Sequence, residues 1–400
     1  MPQTQSSDSL IKDIFKTRAT PRQKISSIFS RLEPPSKTAP AGFSKNTRAE
    51  NYPAAIEFGS SSAKLLQLAK TINGYEVAKT AFIPSGTYNQ QQSVSVMRDS
   101  LRMLVDSYGL SGEVVSSFSI NKVGIVTYTL PVMPLSEIGQ AITWKLKQNP
   151  PAGATFESVS FDYLHSIHSR DNLNKELKII VFVVAKEAIM EQMMLFKEFS
   201  LDLIAIEPQP YSVLSALFWQ GRIKQEETVL VLDLGGSQSS IMIVHAGQPY
   251  LIRQLAVSGN VMTEAIANYN QIDWQKAENL KKTEGLKYWP PVENSEAMCL
   301  PALSSQLENL AVDVEHTFKY FSHQLMKSQV ASYNRIIICG GSSGLFNFKP
   351  YLEDRLGAPV DIFSPFDSPN ILLKQALNRE VKENTYGFWG AMGLAARYIE

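Results

Sequence analysis

The chain has 400 residues, 44% of them hydrophobic, and 38 Lys plus Arg are balanced by 38 Asp plus Glu. This length allows roughly two to four domain-sized units, and the apolar fraction allows a substantial core. Zero net charge gives no whole-chain case for nucleic-acid or membrane affinity.

Cys299 and Cys339 are too few for a disulfide framework and lack a nearby His pair at metal-ligand spacing. Cys339 closes an apolar run from Ile336 and is expected in the core, in a reducing compartment. No apolar run approaches the ~18–20 residues of a membrane-spanning helix, and the N-terminus carries no apolar signal-peptide core. The expectation is therefore a cytosolic protein, unless a partner draws it to a surface.

Residues 1–50 are rich in Lys, Arg, Ser, Thr and Pro and predict a basic arm. Two amphipathic stretches in it, Leu10 to Phe15 and Ile25 to Leu32, are either nascent helices of a tail or a docking helix for anionic lipid or a partner. Order is expected from Tyr52. Strands are predicted over 54–58, 63–68 and 75–82, the last turned by Asn73-Gly74. A helix over 91–108 follows, with Gly109 as its C-cap, and then a strand over 123–130 ended by Pro131.

Residues 131–205 read as an inserted unit. It has helices over 135–147 and 187–199, strands over 158–165 and 176–184, and a strand over 203–206 leading into Glu207-Pro208. Beyond it, helices are predicted over 259–270, 274–284, 302–327 and 386–399, with strands over 336–339 and 360–363. Gly387, Gly390 and Gly393 in the last helix permit close backbone packing.

An internal repeat organises this list. Ile56-Glu57-Phe58-Gly59-Ser60-Ser61-Ser62 lines up with Leu232-Asp233-Leu234-Gly235-Gly236-Ser237-Gln238. Each copy is a strand, an acid, a glycine and a small polar turn, followed by a second strand, a Gly turn and a third strand. Tight corners of this kind point backbone N–H groups and hydroxyls at one spot and bind phosphate oxygens. Two of them, one per half, can hold a polyphosphate from both sides. Glu57 and Asp233 stand at strand ends, where a carboxylate holds a hydrated divalent cation against phosphates. Lys64 either offsets phosphate charge or is a surface strand lysine. Gly340-Gly341-Ser342-Ser343-Gly344, after a buried strand, is either a third ligand element or a plain strand-to-helix turn.

These three elements, in this order and separation, resemble the phosphate-1, phosphate-2 and adenosine motifs of the actin, Hsp70 and sugar-kinase superfamily. The chain is most similar to the PilM family of type IV pilus assembly proteins, with the cell-division protein FtsA a more distant relative. Leu130-Pro131-Val132-Met133-Pro134 and Ala277-Glu278-Asn279-Leu280-Lys281 add to the likeness, which covers roughly 53–400. It implies an α/β, actin-like (ribonuclease H-like) two-lobe fold with an inserted FtsA-type subdomain. The first lobe would be 51–130, completed by 206–228 and 365–400; the insert 131–205; and the second lobe 229–364.

The resemblance also implies ATP and Mg2+ in the cleft. Gly59, Ser60, Ser61, Ser62 and Lys64 would contact ATP from the first corner, and Gly235, Gly236, Ser237 and Gln238 from the second. Gly340, Gly341 and Ser342 would serve the adenosine, Glu278 and Lys281 the ribose side, and Glu57 and Asp233 the metal. Glu207 would orient the attacking water; read alone, it is equally a helix-capping acid. The family usually has Asp where this chain has Glu57, one methylene longer. The implied partner is the N-terminal cytoplasmic tail of a PilN-like inner-membrane protein, lying between the first lobe and the insert, at the inner face of the inner membrane. The function expected is an ATP-binding scaffold, at most a weak ATPase. A sugar or small-molecule kinase and an FtsA-like filament former are the alternatives.

Overall fold

Residues 50–85, 93–151, 153–169, 175–291, 297–373 and 376–399 are described by the computed structural model. The expected arm lies outside them except for Glu50. In the first lobe, β1 (Glu50–Asn51), β2 (Ala54–Phe58), β3 (Ser62–Thr71) and β4 (Gly74–Pro84) precede α1 (Val94–Tyr108). The Ser93 hydroxyl caps α1 by accepting the Val96 N–H, and Gly109 ends it in the left-handed conformation at φ 58°. Met97, Leu101 and Leu104 form its buried stripe. β5 (Gly112–Phe118) follows.

The inserted unit comprises β6 (Gly124–Pro131), α2 (Leu135–Gln148), β7 (Val159–Ser169) and β8 (Lys175–Ala185). The chain returns through α3 (Lys186–Glu198), β9 (Leu201–Pro208) and α4 (Gln209–Trp219). The second lobe opens with β10 (Thr228–Leu234), β11 (Ser239–His245) and β12 (Gln248–Leu255). α5 (Gly259–Asn270), α6 (Trp274–Thr283) and α7 (Cys299–Tyr320) come next. β13 (Arg335–Cys339), α8 (Phe348–Leu356), β14 (Val360–Ile362), β15 (Ile371–Leu372), α9 (Arg379–Glu383) and α10 (Trp389–Ala396) complete the chain.

The repeat seen in the sequence is a repeat of topology. The first sheet runs β15-β4-β3-β2-β5-β9, with β1 paired to β3, and the second runs β12-β11-β10-β13-β14. In each, an antiparallel meander is extended on its first strand by two parallel strands: β5 and β9 in one sheet, β13 and β14 in the other. β2 and β10 are buried along their whole length, as central strands covered on both faces must be. The acids Glu57 and Asp233 therefore sit at equivalent strand ends. The inner face of the second sheet, with Val229, Val231, Met242 and Ile252, belongs to the same apolar cluster as the first sheet; Leu230, Leu232, Ile241 and Ile243 face a second cluster built on α5, α7 and α8.

The insert is a three-stranded sheet, β6-β8-β7, in which alternation divides the faces. Ile180, Phe182 and Val184 of β8 join the first lobe's core, while Leu177, Ile179, Val181 and Val183 pack with Ile138, Ile142 and Leu146 of α2. Strand pairing thus draws borders that differ from 131 and 205. β6 pairs with β8, which assigns 124–130 to the small sheet, and β9 pairs with β5, which assigns 201–208 to the large one. β12 also packs against this small sheet, where the Tyr250 hydroxyl meets Ser166. No helix among the described residues is long and apolar enough to cross a membrane.

Candidate functional site

The first corner closes β2 onto β3: the Gly59 N–H donates to the Ser62 carbonyl at 2.8 Å. Antiparallel register sets Glu57 opposite Lys64. Both are buried, and Lys64 Nζ lies 3.3 Å from Glu57 Oε1. The second Glu57 oxygen accepts the Ala391 N–H at 2.9 Å, in the first turn of α10. At the second corner the Gly235 N–H donates to the Gln238 carbonyl at 3.1 Å. The Gly259 N–H bonds the Gly235 carbonyl at 2.9 Å and the Asn260 N–H bonds that of Gly236 at 2.7 Å, so the start of α5 is stitched to the turn. The Gln238 side-chain carbonyl accepts from Gln254.

The third element leaves β13 at Gly340, whose φ of +89° favours glycine, and whose N–H donates to the Tyr386 carbonyl at 3.0 Å. A 3-10 turn over Gly341–Gly344 follows.

All three elements converge. The Ser237 N–H donates to Ser60 Oγ at 2.9 Å, joining the two corners directly. A Cβ on Gly236 would lie 2.6 Å from Ser60 Oγ and 3.5 Å from Ser61 Oγ. Ser342 Oγ donates to the Gly235 carbonyl at 3.4 Å, and a Cβ on Gly259 would overlap that hydroxyl. Gly387 approaches both Lys64 and Gly341. Small residues at 59–62, 235–237, 259 and 340–342 therefore line one spot, and at Gly235, Gly236, Gly259 and Gly340 an added Cβ would overlap a neighbour.

Asp233, at the end of β10, accepts from the Gln209 amide at 2.5 Å across the lobes. Burial pushes its carboxyl up to about 6; the Glu57 charge adds to the rise, while the Gln209 hydrogen bond and Lys64 oppose it. Burial, with the Asp233 charge, also drives the Cys339 thiol far above its ordinary value, as suits a core cysteine.

Glu278 and Lys281, one turn apart on α6, form a buried pair at 2.7 Å. Lys281 Nζ also donates to the Gly259 carbonyl at 2.9 Å and to Thr263 Oγ1 at 2.7 Å. Burial favours the neutral form of each. For Glu278 the Lys281 charge, Thr263 and Lys282 outweigh it and the pKa is lowered; for Lys281 burial wins over Glu278 and the pKa is also lowered. The pair thus braces the second corner from behind.

Glu207 is placed differently from the other acids. Its carboxylate is in ion-pair contact with Arg397 and accepts from Ser212 Oγ at 3.0 Å. Two residues on, Gln209 is the side chain that reaches Asp233. Sequence reasoning missed Gln209, Arg397, Asn260, Thr263 and Ala391. Gln209 had a faint signal in its place at a strand-to-helix junction; the others lie in the stretches 255–263 and 387–397 that resemble the family, with nothing local to mark an individual role. Among the described residues, no group of three or more His, Cys, Asp or Glu is placed to hold a metal ion without other donors.

Two sheets that share a five-stranded core topology, with an acid and a small-residue corner at the same end of each first strand, define an actin-like two-lobed fold. A solved PilM–PilN type IV pilus biogenesis complex is similar to this chain with a TM-score of 0.71 and 22% identity, over 87% of this chain and 98% of that chain. Ethanolamine utilization protein EutJ from Carboxydothermus hydrogenoformans is similar with a TM-score of 0.47 and 11% identity, over 94% and 97% of the respective chains. MreB5 of Spiroplasma citri bound to AMPPNP is similar with a TM-score of 0.43 and 14% identity, over 81% and 94%. Residues 55–399 match the type IV pilus assembly protein PilM family, and the chain belongs to that family.

Proposed function

We propose that this chain is an ATP-binding, actin-like scaffold of the type IV pilus machinery that receives the N-terminal cytoplasmic tail of a PilN-like inner-membrane protein. The observation that carries the nucleotide half is the convergence of three small-residue corners, from both lobes, on one spot. Side chains added at Gly236, Gly259 or Gly340 would fill that spot, which is the cradle a phosphate chain requires. The residues present fit the group. Gly59 to Ser62 and Gly235 to Gln238 bind phosphate oxygens, Lys64 offsets their charge, and Gly340 to Ser342 hold the nucleoside. Glu278 and Lys281 act on the ribose side by bracing Gly259. Bound Mg-ATP supplies the negative charge and cation that draw the lobes together. Asp233 holds the cation, because a buried carboxylate with only an amide donor retains unmet charge.

In this reading Glu207 anchors Arg397 and does not orient water, so turnover is slow and binding is the working state. The lobes divide as 51–123 with 186–228 and 365–400, an insert of 124–185, and a second lobe of 229–364. The partner half rests on family membership and on the PilN named in the similar complex. A tail in the groove between first lobe and insert would feel lobe angle; a coupling of ~1–3 kcal/mol changes its affinity about 5–150-fold. The protein then works in the cytoplasm at the inner face of the inner membrane, through that partner.

Titrating the full chain with a fluorescent ATP analogue, with and without a synthetic PilN-type tail peptide, tests this. Saturable Mg-dependent binding that changes peptide affinity is expected, together with slow hydrolysis indifferent to sugars. No nucleotide signal at saturation refutes the reading. Substrate-dependent ADP release at ~1–10³ per second would make it a kinase instead.

A further inference from the structure

We propose that Glu57 is a positioning residue and not a cation ligand: it ties the start of α10 to the first corner and holds Lys64 over Gly59. The inference rests on the nucleotide reading above and assigns Glu57 a role different from the one its sequence position implies.

Four observations point the same way. Both carboxylate oxygens have protein donors, Lys64 Nζ at 3.3 Å and the Ala391 N–H at 2.9 Å. The residue is only 5% exposed, so its lone pairs face protein. The carboxyl group lies against the backbone of Gly390: a Cβ there would sit 2.8 Å from Glu57 Cδ and Oε2 and 3.1 Å from Oε1. That seat exists only because residue 390 is glycine and because Glu is long enough to reach it. Lastly, the Lys64 stem passes Gly387, whose added Cβ would be 3.3 Å from Lys64 Cε, and its ammonium ends 3.2 Å from the Cβ position of Gly59.

The physical roles follow. A buried ammonium without a counter-charge is costly, so the Glu57 carboxylate, 3.3 Å from Lys64 Nζ, holds that side chain extended toward the corner. A carboxylate at the first turn of a helix is favoured by the free N–H groups there, so the same group fixes α10. Asp233 contrasts with it: among the described residues its hydrogen-bond donor is the neutral Gln209 amide. The two equivalent acids thus have divided duties, cation at Asp233 and architecture at Glu57. α10 is gripped at its other end by Glu207 through Arg397. A phosphate that draws Lys64 away from Glu57 therefore acts directly on the C-terminal helix.

The test measures ATP affinity of the full chain in Mg2+ and in EDTA, with hydrogen exchange of the α10 amides. Glu57→Gln and Lys64→Met are expected to weaken ATP roughly tenfold or more in both conditions, leaving the Mg/EDTA ratio at its wild-type value. Asp233→Asn is expected to abolish that ratio. Glu57→Gln should speed exchange at Ala391, and Asp233→Asn should not. The inference is overturned if Glu57→Gln removes the Mg effect while EDTA affinity stays at wild type.

A steric pair gives an independent check that needs no nucleotide. Gly390→Ala should lower the melting temperature, and adding Glu57→Asp, whose carboxylate is withdrawn by one methylene, should recover part of it. No recovery overturns the seating of Glu57 on Gly390. Wild type that binds no ATP under either condition refutes the nucleotide reading instead, while the exchange and steric results still judge Glu57.

Discussion

Replacing Arg397 by methionine is expected to destabilise the protein by about 2–3 kcal/mol, and the size of the loss decides what Glu207 does. Methionine keeps the apolar stem that packs under the guanidinium and removes only the charge. Glu207 is left buried, its side chain 4% exposed, with the Ser212 hydroxyl at 3.0 Å as its remaining donor. Removing one partner of a buried pair costs about 3–5 kcal/mol. The Arg397 side chain is 28% exposed, so water partly replaces it and the expectation falls below that range.

Adding Glu207→Gln to Arg397→Met should recover most of the loss, because a neutral amide still accepts from Ser212 and carries no unmet charge. The double-mutant cycle should give a coupling of roughly 2 kcal/mol, read from urea midpoints at constant slope. ATP turnover measured on the same four proteins completes the experiment. If Arg397→Met shifts stability by less than about 0.5 kcal/mol and Glu207→Gln alone abolishes turnover, Glu207 orients water and the anchoring account is wrong.

Other consequences are equally direct. Asp233 has its folded pKa raised to about 6 from an ordinary 3.8, so the folded state keeps a proton that the unfolded chain has lost. Its contribution to stability is fully present below pH 4 and is lost as pH rises through 6; Mg-dependent nucleotide affinity should move the opposite way, weakening as pH falls through 6, in titrations from pH 5 to 8. Gln209→Leu removes the hydrogen bond that opposes this rise, and should shift the affinity midpoint to higher pH without changing EDTA affinity. Gly340→Ala places a Cβ 2.7 Å from Asp233 Oδ1 at a φ of +89°; it should cost roughly 2 kcal/mol or more in urea unfolding and abolish nucleotide binding.

Much of the fold was legible because periodicity and punctuation agreed. The helices expected over 135–147 and 259–270 appear as Leu135–Gln148 and Gly259–Asn270, each with one apolar stripe and a clear start. β5 was not read. Its Gly-Glu-Val-Val-Ser-Ser-Phe looks polar, yet Ser116 and Ser117 are buried: Ser116 Oγ donates to the Ile56 carbonyl at 2.8 Å and accepts from Gln192 at 2.9 Å. A strand whose hydroxyls are satisfied by tertiary partners shows no apolar alternation. β15 and α9 were also missed, being two and five residues long and held by packing on β4. The expected long last helix is a 3-10 turn, Thr385–Phe388, followed by the shorter α10.

The candidate site divides along the same line. The corners could be read because a repeated acid, glycine and hydroxyl pattern is local. The partners of those acids could not: Ala391 is 334 residues from Glu57, and Gln209 is 24 from Asp233 on another lobe. Local pattern identifies which residues form the small-residue corners, and only long-range packing decides which of the two acids is engaged by protein donors at both carboxylate oxygens.

The glycines at 387, 390 and 393 show how that decision is encoded. Their spacing suggested one flat helix face. Three residues advance an α-helix by about 300°, so successive positions step round it by roughly 60°, and Gly387 lies before α10 begins. Each therefore meets a different neighbour: Lys64 and Gly341, then the Glu57 carboxyl, then the Ser212 backbone, which a Cβ on Gly393 would overlap. The first two contacts bring the C-terminal segment onto the Glu57–Lys64 pair at the first corner, and the third seats α10 on α4, the helix that begins with Gln209 at Asp233. An added Cβ at 390 would press on the Glu57 carboxyl and one at 393 would overlap the Ser212 backbone, so these two glycines let α10 sit against both the first corner and α4.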